Sequence, residues 1–214
     1  GRVNLFAEWA GELTTNAPRI TFLMQTNLHL VARFVPNPFI AVKGAYNGLF
    51  FRADPVRHES SGFFTATTTD LGAFSAKFTL AGKAIPLAGK FALDGKSTNV
   101  IVRPGLNPIT VKLQLHFGDE ADKITGTLTD GNWAATLHAD RATFSATANS
   151  PAEKGRYTLL LEGDSDPERA PHGFSFGTVN VDAAGRISLA GTLADGTVLT
   201  QKVPMAKDGR WPLF

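Results

Sequence analysis

Apolar and polar residues alternate at period two along most of this chain, and that alternation restricts its fold more than any other feature. Ile109, Val111, Leu113, Leu115 and Phe117 share one strand face, while Thr110, Lys112, Gln114 and His116 share the other. Phe74, Ala76, Phe78 and Leu80 stand in the same way against Ser75, Lys77 and Thr79, and Ile187, Leu189 and Leu193 against Ser188, Ala190 and Thr192. Trp133, Ala135 and Leu137 oppose Ala134, Thr136 and His138, which places Trp133 on a core face. Strands with one buried and one wet face belong to antiparallel sheets, because parallel strands covered on both sides read as continuous apolar runs. Asp94-Gly95, Asp130-Gly131, Asp195-Gly196 and Asp208-Gly209 lie between these runs and offer the positive φ that tight hairpins need. Segments 148–154 and 164–170 contain prolines and suit loops better than helices. The expectation is an all-β protein of roughly a dozen or more strands, an antiparallel β-barrel or β-sandwich.

Internal repetition extends this reading. Gly44-Ala45-Tyr46, Gly62-Phe63 and Gly72-Ala73-Phe74-Ser75 are echoed by Gly155-Arg156-Tyr157, Gly173-Phe174 and Gly185-Arg186-Ile187-Ser188. Asp94-Gly95 in the first series answers Asp208-Gly209 in the second. Such echoes predict one multi-strand unit used twice within residues 37–214, with copies over roughly 44–150 and 155–214.

With 214 residues, 43% of them hydrophobic and 19% charged, the chain has the make-up of a folded domain with a sizeable core. Its 21 basic and 19 acidic residues are scattered, so no nucleic-acid partner is expected. No run approaches the roughly 20 apolar residues of a membrane-spanning helix, and short, proline-interrupted strands without an aromatic girdle argue against a membrane barrel. The chain opens at Gly1-Arg2-Val3 without methionine or signal peptide, so it is expected to be a piece of something longer.

Residues 1–36 differ from the rest. Phe6-Ala7-Glu8-Trp9-Ala10-Gly11, Ile20-Thr21-Phe22-Leu23-Met24 and Asn27-Leu28-His29-Leu30-Val31-Ala32-Arg33-Phe34 resemble the second half of the divergent InlB B-type repeats of bacterial surface proteins. The strands that precede the tryptophan in such repeats are lacking, so a partial repeat is expected. Gly44-Ala45-Tyr46-Asn47-Gly48-Leu49-Phe50, Ser61-Gly62-Phe63-Phe64, Gly191-Thr192-Leu193-Ala194-Asp195-Gly196-Thr197 and Lys207-Asp208-Gly209-Arg210-Trp211-Pro212-Leu213-Phe214 look like a β-rich module near the C-termini of large exported bacterial proteins. The resemblance implies secretion or a cell-surface location, with neighbouring domains of a longer chain as partners. It brings no catalytic residues, and the absence of cysteine fits export.

Three kinds of chemistry find candidate residues. His116 and His138, two of five histidines, sit on polar strand faces that neighbouring strands can bring together, as a catalytic base or metal-ligand pair. Glu162, Asp164, Asp166 and Glu168 alternate along one loop and offer the hard oxygen ligands that suit Ca2+. Asp119, Glu120 and Asp122 crowd a second loop. Trp211 follows a turn and is the tryptophan best placed for a ligand such as a glycan, while the core is the expected place for Trp9 and Trp133. No Gly-x-Ser-x-Gly elbow is present. The leading expectation is a non-enzymatic structural, adhesive or ligand-binding module that needs no cofactor. The alternatives are a hydrolase of a small ester, lactone or glycan, with or without Ca2+, and a carbohydrate-binding module.

Overall fold

A computed structural model describes residues 3–53, 55–164, 166 and 172–214. The protein is all-β, and among the described residues fourteen strands form three antiparallel sheets. Strands β1 (Asn4–Gly11) and β2 (Leu30–Pro36) make a two-stranded hairpin. Four strands then run as a meander: β3 (Gly44–Phe51), β4 (Gly62–Thr68), β5 (Ala73–Leu80) and β6 (Lys83–Lys90). A second meander follows, formed by β7 (Lys96–Ile101), β8 (Ile109–Leu115), β9 (Lys123–Thr129) and β10 (Ala134–Arg141). Pairing of β10 with β3 joins the two into one eight-stranded sheet of order β6-β5-β4-β3-β10-β9-β8-β7. The sheet curls until its edges β6 and β7 meet at a seam that carries no ladder among the described residues, so the barrel is nearly closed. The last sheet is the meander of β11 (Gly155–Leu161), β12 (Ser175–Val181), β13 (Arg186–Thr192) and β14 (Val198–Pro204).

The alternation puts the expected residues inside. Phe50, Phe64, Phe74, Phe78, Val111, Leu113, Leu115, Ile124, Leu128 and Leu137 fill the barrel and are almost wholly buried. Ser75, Lys77, Lys112, Thr127 and Thr136 face outward. A smaller core of Val179, Val181, Ile187, Leu189, Val203 and Met205 lines the inner face of the last sheet. Phe63, from the outer face of β4, packs against it, so this sheet rests on the outside of the barrel.

All four Asp-Gly pairs have glycines at positive φ, between 81° and 92°, and in each the aspartate carboxylate accepts a backbone N–H two residues on. Only two of the pairs close hairpins, at β9–β10 and β13–β14. Asp94-Gly95 instead carries the chain across the seam from one sheet edge to the other, and Asp208-Gly209 folds back the segment after β14. The expectation of a hairpin at those two places is corrected, because a local turn reverses the chain without deciding which strand lies beside it. Among the described residues, 148–154, 164 and 166 contain no helix, and the rest of 164–170 lies outside them; short 3-10 turns occur at His58–Ser60 and Gly118–Glu120.

Candidate functional site

The β5–β6 turn, the connection after β7 and the β9–β10 turn all emerge at one end of the barrel, and together with Glu59 they surround an open cleft of about 780 Å³. Its polar side is built on Asp130. One carboxylate oxygen accepts the backbone N–H of Asn132 at 3.0 Å and of Trp133 at 3.3 Å, and the other accepts Arg103 Nη2 at 2.9 Å. Arg103 Nε donates to the Asn107 carbonyl at 2.9 Å, and the Asn107 amide donates to the Asp130 carbonyl at 3.2 Å. The ion pair is largely buried, with 16% of Arg103 and 10% of Asp130 side-chain surface exposed. Burial by itself would raise the Asp130 carboxyl, but the N–H of Asn132, Arg103 and the N–H of Trp133 outweigh it and hold the group below its ordinary value. The cleft is therefore rigid and charged where it meets the turn. Leu80, Ile85 and the indole of Trp133 supply its apolar side, and Lys83 stands at its edge.

Trp133 is half-buried: it packs against the barrel core, on the face that alternation gives it, and also lines the cleft. Alternation gave its face correctly, in phase with Ala135 and Leu137. Trp133 precedes the first residue of β10, however, and an inward-facing side chain at a barrel's rim lines the opening instead of the filled interior. Trp9 is half-buried too, with its ring centroid 5.6 Å from that of Phe6 in the N-terminal hairpin, which has too little volume to enclose an indole.

The other predicted residues lie elsewhere. His138 and Trp211, read separately from the sequence, meet in a pocket of about 180 Å³ between the barrel's outer face and residues 206–212. Asn47, Asp140 and Arg210 line it as well. Trp211 is half-buried and packs on the small core, so only part of its ring reaches this pocket. Burial raises the Asp140 carboxyl above its ordinary value against the opposing pull of Arg210. Arg210 is itself paired to Asp208 at 2.5 Å. His116 is at the end of β8 remote from the open cleft, bonded to Thr125 and Glu120. Thr125 is also the residue that faces His138 across the β9–β10 ladder, so the two histidines flank one threonine, and the direct bonds of His116 are to Thr125 and Glu120.

Of the loop carboxylates, Glu162 and Asp166 are exposed, Asp164 accepts the Asp166 N–H at 3.0 Å, and Glu168 lies outside the described residues. Among the described residues no group of three or more histidine, aspartate or glutamate side chains is placed to hold a metal ion. Asp122, in the other acidic loop, is held by Arg141 at 2.6 Å and Lys207 at 3.1 Å.

No family model matches the chain, and no curated protein or solved structure gives a significant match. No helix among the described residues is long and apolar enough to cross a membrane.

Proposed function

We propose that the protein is a ligand-binding β module of an exported bacterial protein, and that the open end of its barrel takes a glycan or a similarly hydroxyl-rich small molecule. The observation that carries this reading is the half-buried indole of Trp133 beside the buried Arg103–Asp130 pair, in a cleft of about 780 Å³. A pyranose ring has apolar C–H faces that stack on an indole and hydroxyl edges that need donors and acceptors. Arg103, Asn107, Asp130 and Asn132 offer both beside that ring. Their mutual bonds limit the side-chain entropy lost on binding. Glycan-array screening followed by calorimetry tests the reading. Trp133→Ala is expected to weaken the selected ligand at least about tenfold, and Trp211→Ala to leave it bound. Unchanged affinity in Trp133→Ala overturns the assignment of the cleft.

The same reading takes residues 44–150 and 155–214 as copies of one unit, with the likeness carried by β3–β6 and β11–β14. Its support is a shared meander order and shared turns. The carbonyl of Gly72 accepts the Phe91 N–H and that of Gly185 the Met205 N–H, both at 2.8 Å. Tyr46 and Tyr157 each donate a hydroxyl to the carbonyl four residues earlier, at 2.5 and 2.7 Å.

A further inference from the structure

The β8–β9 hairpin brings a hydroxyl, an imidazole and a carboxylate into line on the barrel's outer wall. His116 Nε2 lies 2.8 Å from Thr125 Oγ1, and His116 Nδ1 lies 3.1 Å from Glu120 Oε2. The backbone accounts for the arrangement. Ile124 and Leu128 point into the core, which turns Thr125 outward on β9. The 3-10 turn Gly118–Glu120 returns the chain so that Glu120, four residues after His116, reaches the far side of the ring. An ionised carboxylate only accepts hydrogen bonds, so the neutral imidazole carries its proton on Nδ1 and turns the Nε2 lone pair toward the Thr125 hydroxyl. This is the order of groups that activates a hydroxyl nucleophile: base beside nucleophile, carboxylate orienting the base. Thr125 also lines an open groove of about 420 Å³ that runs over β7 to β10, with Lys96, Lys112 and Gln114 in its walls.

We propose that Thr125, His116 and Glu120 form an acyl-transfer site for small activated esters, separate from the cleft at the barrel's end. Thr125 Oγ1 attacks the ester carbonyl carbon while His116 Nε2 takes the hydroxyl proton. The negative charge on the carbonyl oxygen develops in a groove lined by Lys112 and by Lys96, whose ammonium is paired to Asp94 at 3.1 Å. Collapse breaks the bond to the leaving oxygen, which receives the proton from Nε2, and Thr125 is left acylated. A water molecule, deprotonated by the same Nε2, cleaves that ester, releases the acid and restores the hydroxyl. The sum is one ester and one water giving one acid and one alcohol. Glu120 is a positioning residue, since it acts only through His116.

The test uses the full chain with 4-nitrophenyl acetate, following release of 4-nitrophenolate and locating the acetyl group by peptide mass spectrometry. The expected result is a burst of up to one equivalent with the acetyl group on Thr125. Thr125→Val and His116→Ala are expected to lower the burst rate at least about tenfold, and Thr125→Ser to restore it. Glu120→Gln is expected to change the pH profile of the burst, which a purely structural contact would not do, and His29→Ala, before β2, to leave the burst intact. Acetyl groups found on lysines alone, no burst at all, or a full burst in Thr125→Val each overturn the proposal. Circular dichroism of Thr125→Val that matches the parent shows that its loss of burst is chemical, not a loss of fold.

Discussion

Gly72 and Gly185 occupy the same place in their respective turns, and in both an aromatic ring leaves no room for a side chain. A Cβ on Gly72 would meet the Phe39 ring at 2.7 Å, and one on Gly185 would meet Phe144 at 2.8 Å, with φ at +77° and +69°. Gly82 has a similar φ of +72° but nothing within 4 Å of its virtual Cβ. Alanine therefore costs only the left-handed backbone penalty at Gly82, about 1 kcal/mol. At Gly72 it also displaces a ring that is almost wholly buried, which adds about 2 kcal/mol. Denaturant titration of Gly72→Ala and Gly82→Ala checks the difference, and equal losses would show that the ring moves away freely.

The C-terminal segment acts as a strap between the small sheet and the barrel. Lys207 pairs with Asp122, Ala206 bridges to Ala142, and Trp211 covers the small core. Gln201 on β14 donates to the Pro212 carbonyl at 2.9 Å and accepts the Phe214 N–H at 3.0 Å. Phe214 stacks on Phe63 of the barrel, with ring centroids 6.0 Å apart and planes at 16°. Loss of residues 207–214 removes a half-buried indole from a small core, with six buried side chains among the described residues. A chain truncated at residue 206 is expected to melt roughly 5–10 °C lower. Hydrogen exchange should quicken in β11–β14 while β3–β10 keep their protection, because the barrel core contains none of the deleted residues. Uniform loss of protection across both sheets would mean that the two cores unfold together.

At the scale of the whole molecule, docking of the strap onto the barrel makes one carboxyl respond to pH in the opposite sense from most of its neighbours. Asp140 is raised chiefly by burial, with Arg210 opposing and Asp208 assisting. A carboxyl raised on folding binds its proton more tightly in the folded chain, so its contribution is complete below the unfolded value and is lost as pH rises through the folded one. Asp130 has the reverse sign: it is lowered on folding and loses its contribution as pH falls. Asp140→Asn is thus expected to melt above the parent at neutral pH and level with it in acid below the carboxylate range. Thermal melts across that range check this, and a lower melting point for the variant at neutral pH would show that the ionised carboxylate is stabilising.

Much of this architecture was legible in the residues. Alternation sorted Phe74, Phe78, Val111 and Leu137 into the core, and the Asp-Gly pairs marked turns, because side-chain period and turn φ are local properties of a few consecutive residues. Which strands become neighbours is not local. The pairing of β10 with β3 joins residues about 90 positions apart, such as Arg141 and Tyr46, and nothing in a period-two pattern names a partner. The functional candidates divide the same way. His116 and Trp211 were singled out by residue type, but the contact of His116 with Thr125 depends on hairpin register. The Arg103–Asp130 pair spans 27 residues and exists because the ends of β7 and β9 share one barrel opening. The local side-chain pattern is enough to place the strands, their faces and their turns. That Trp133 stands at the rim, packed on the core yet open to the cleft, follows from the assembled barrel alone, since the depth of an inward-facing residue depends on where its strand stops relative to its neighbours.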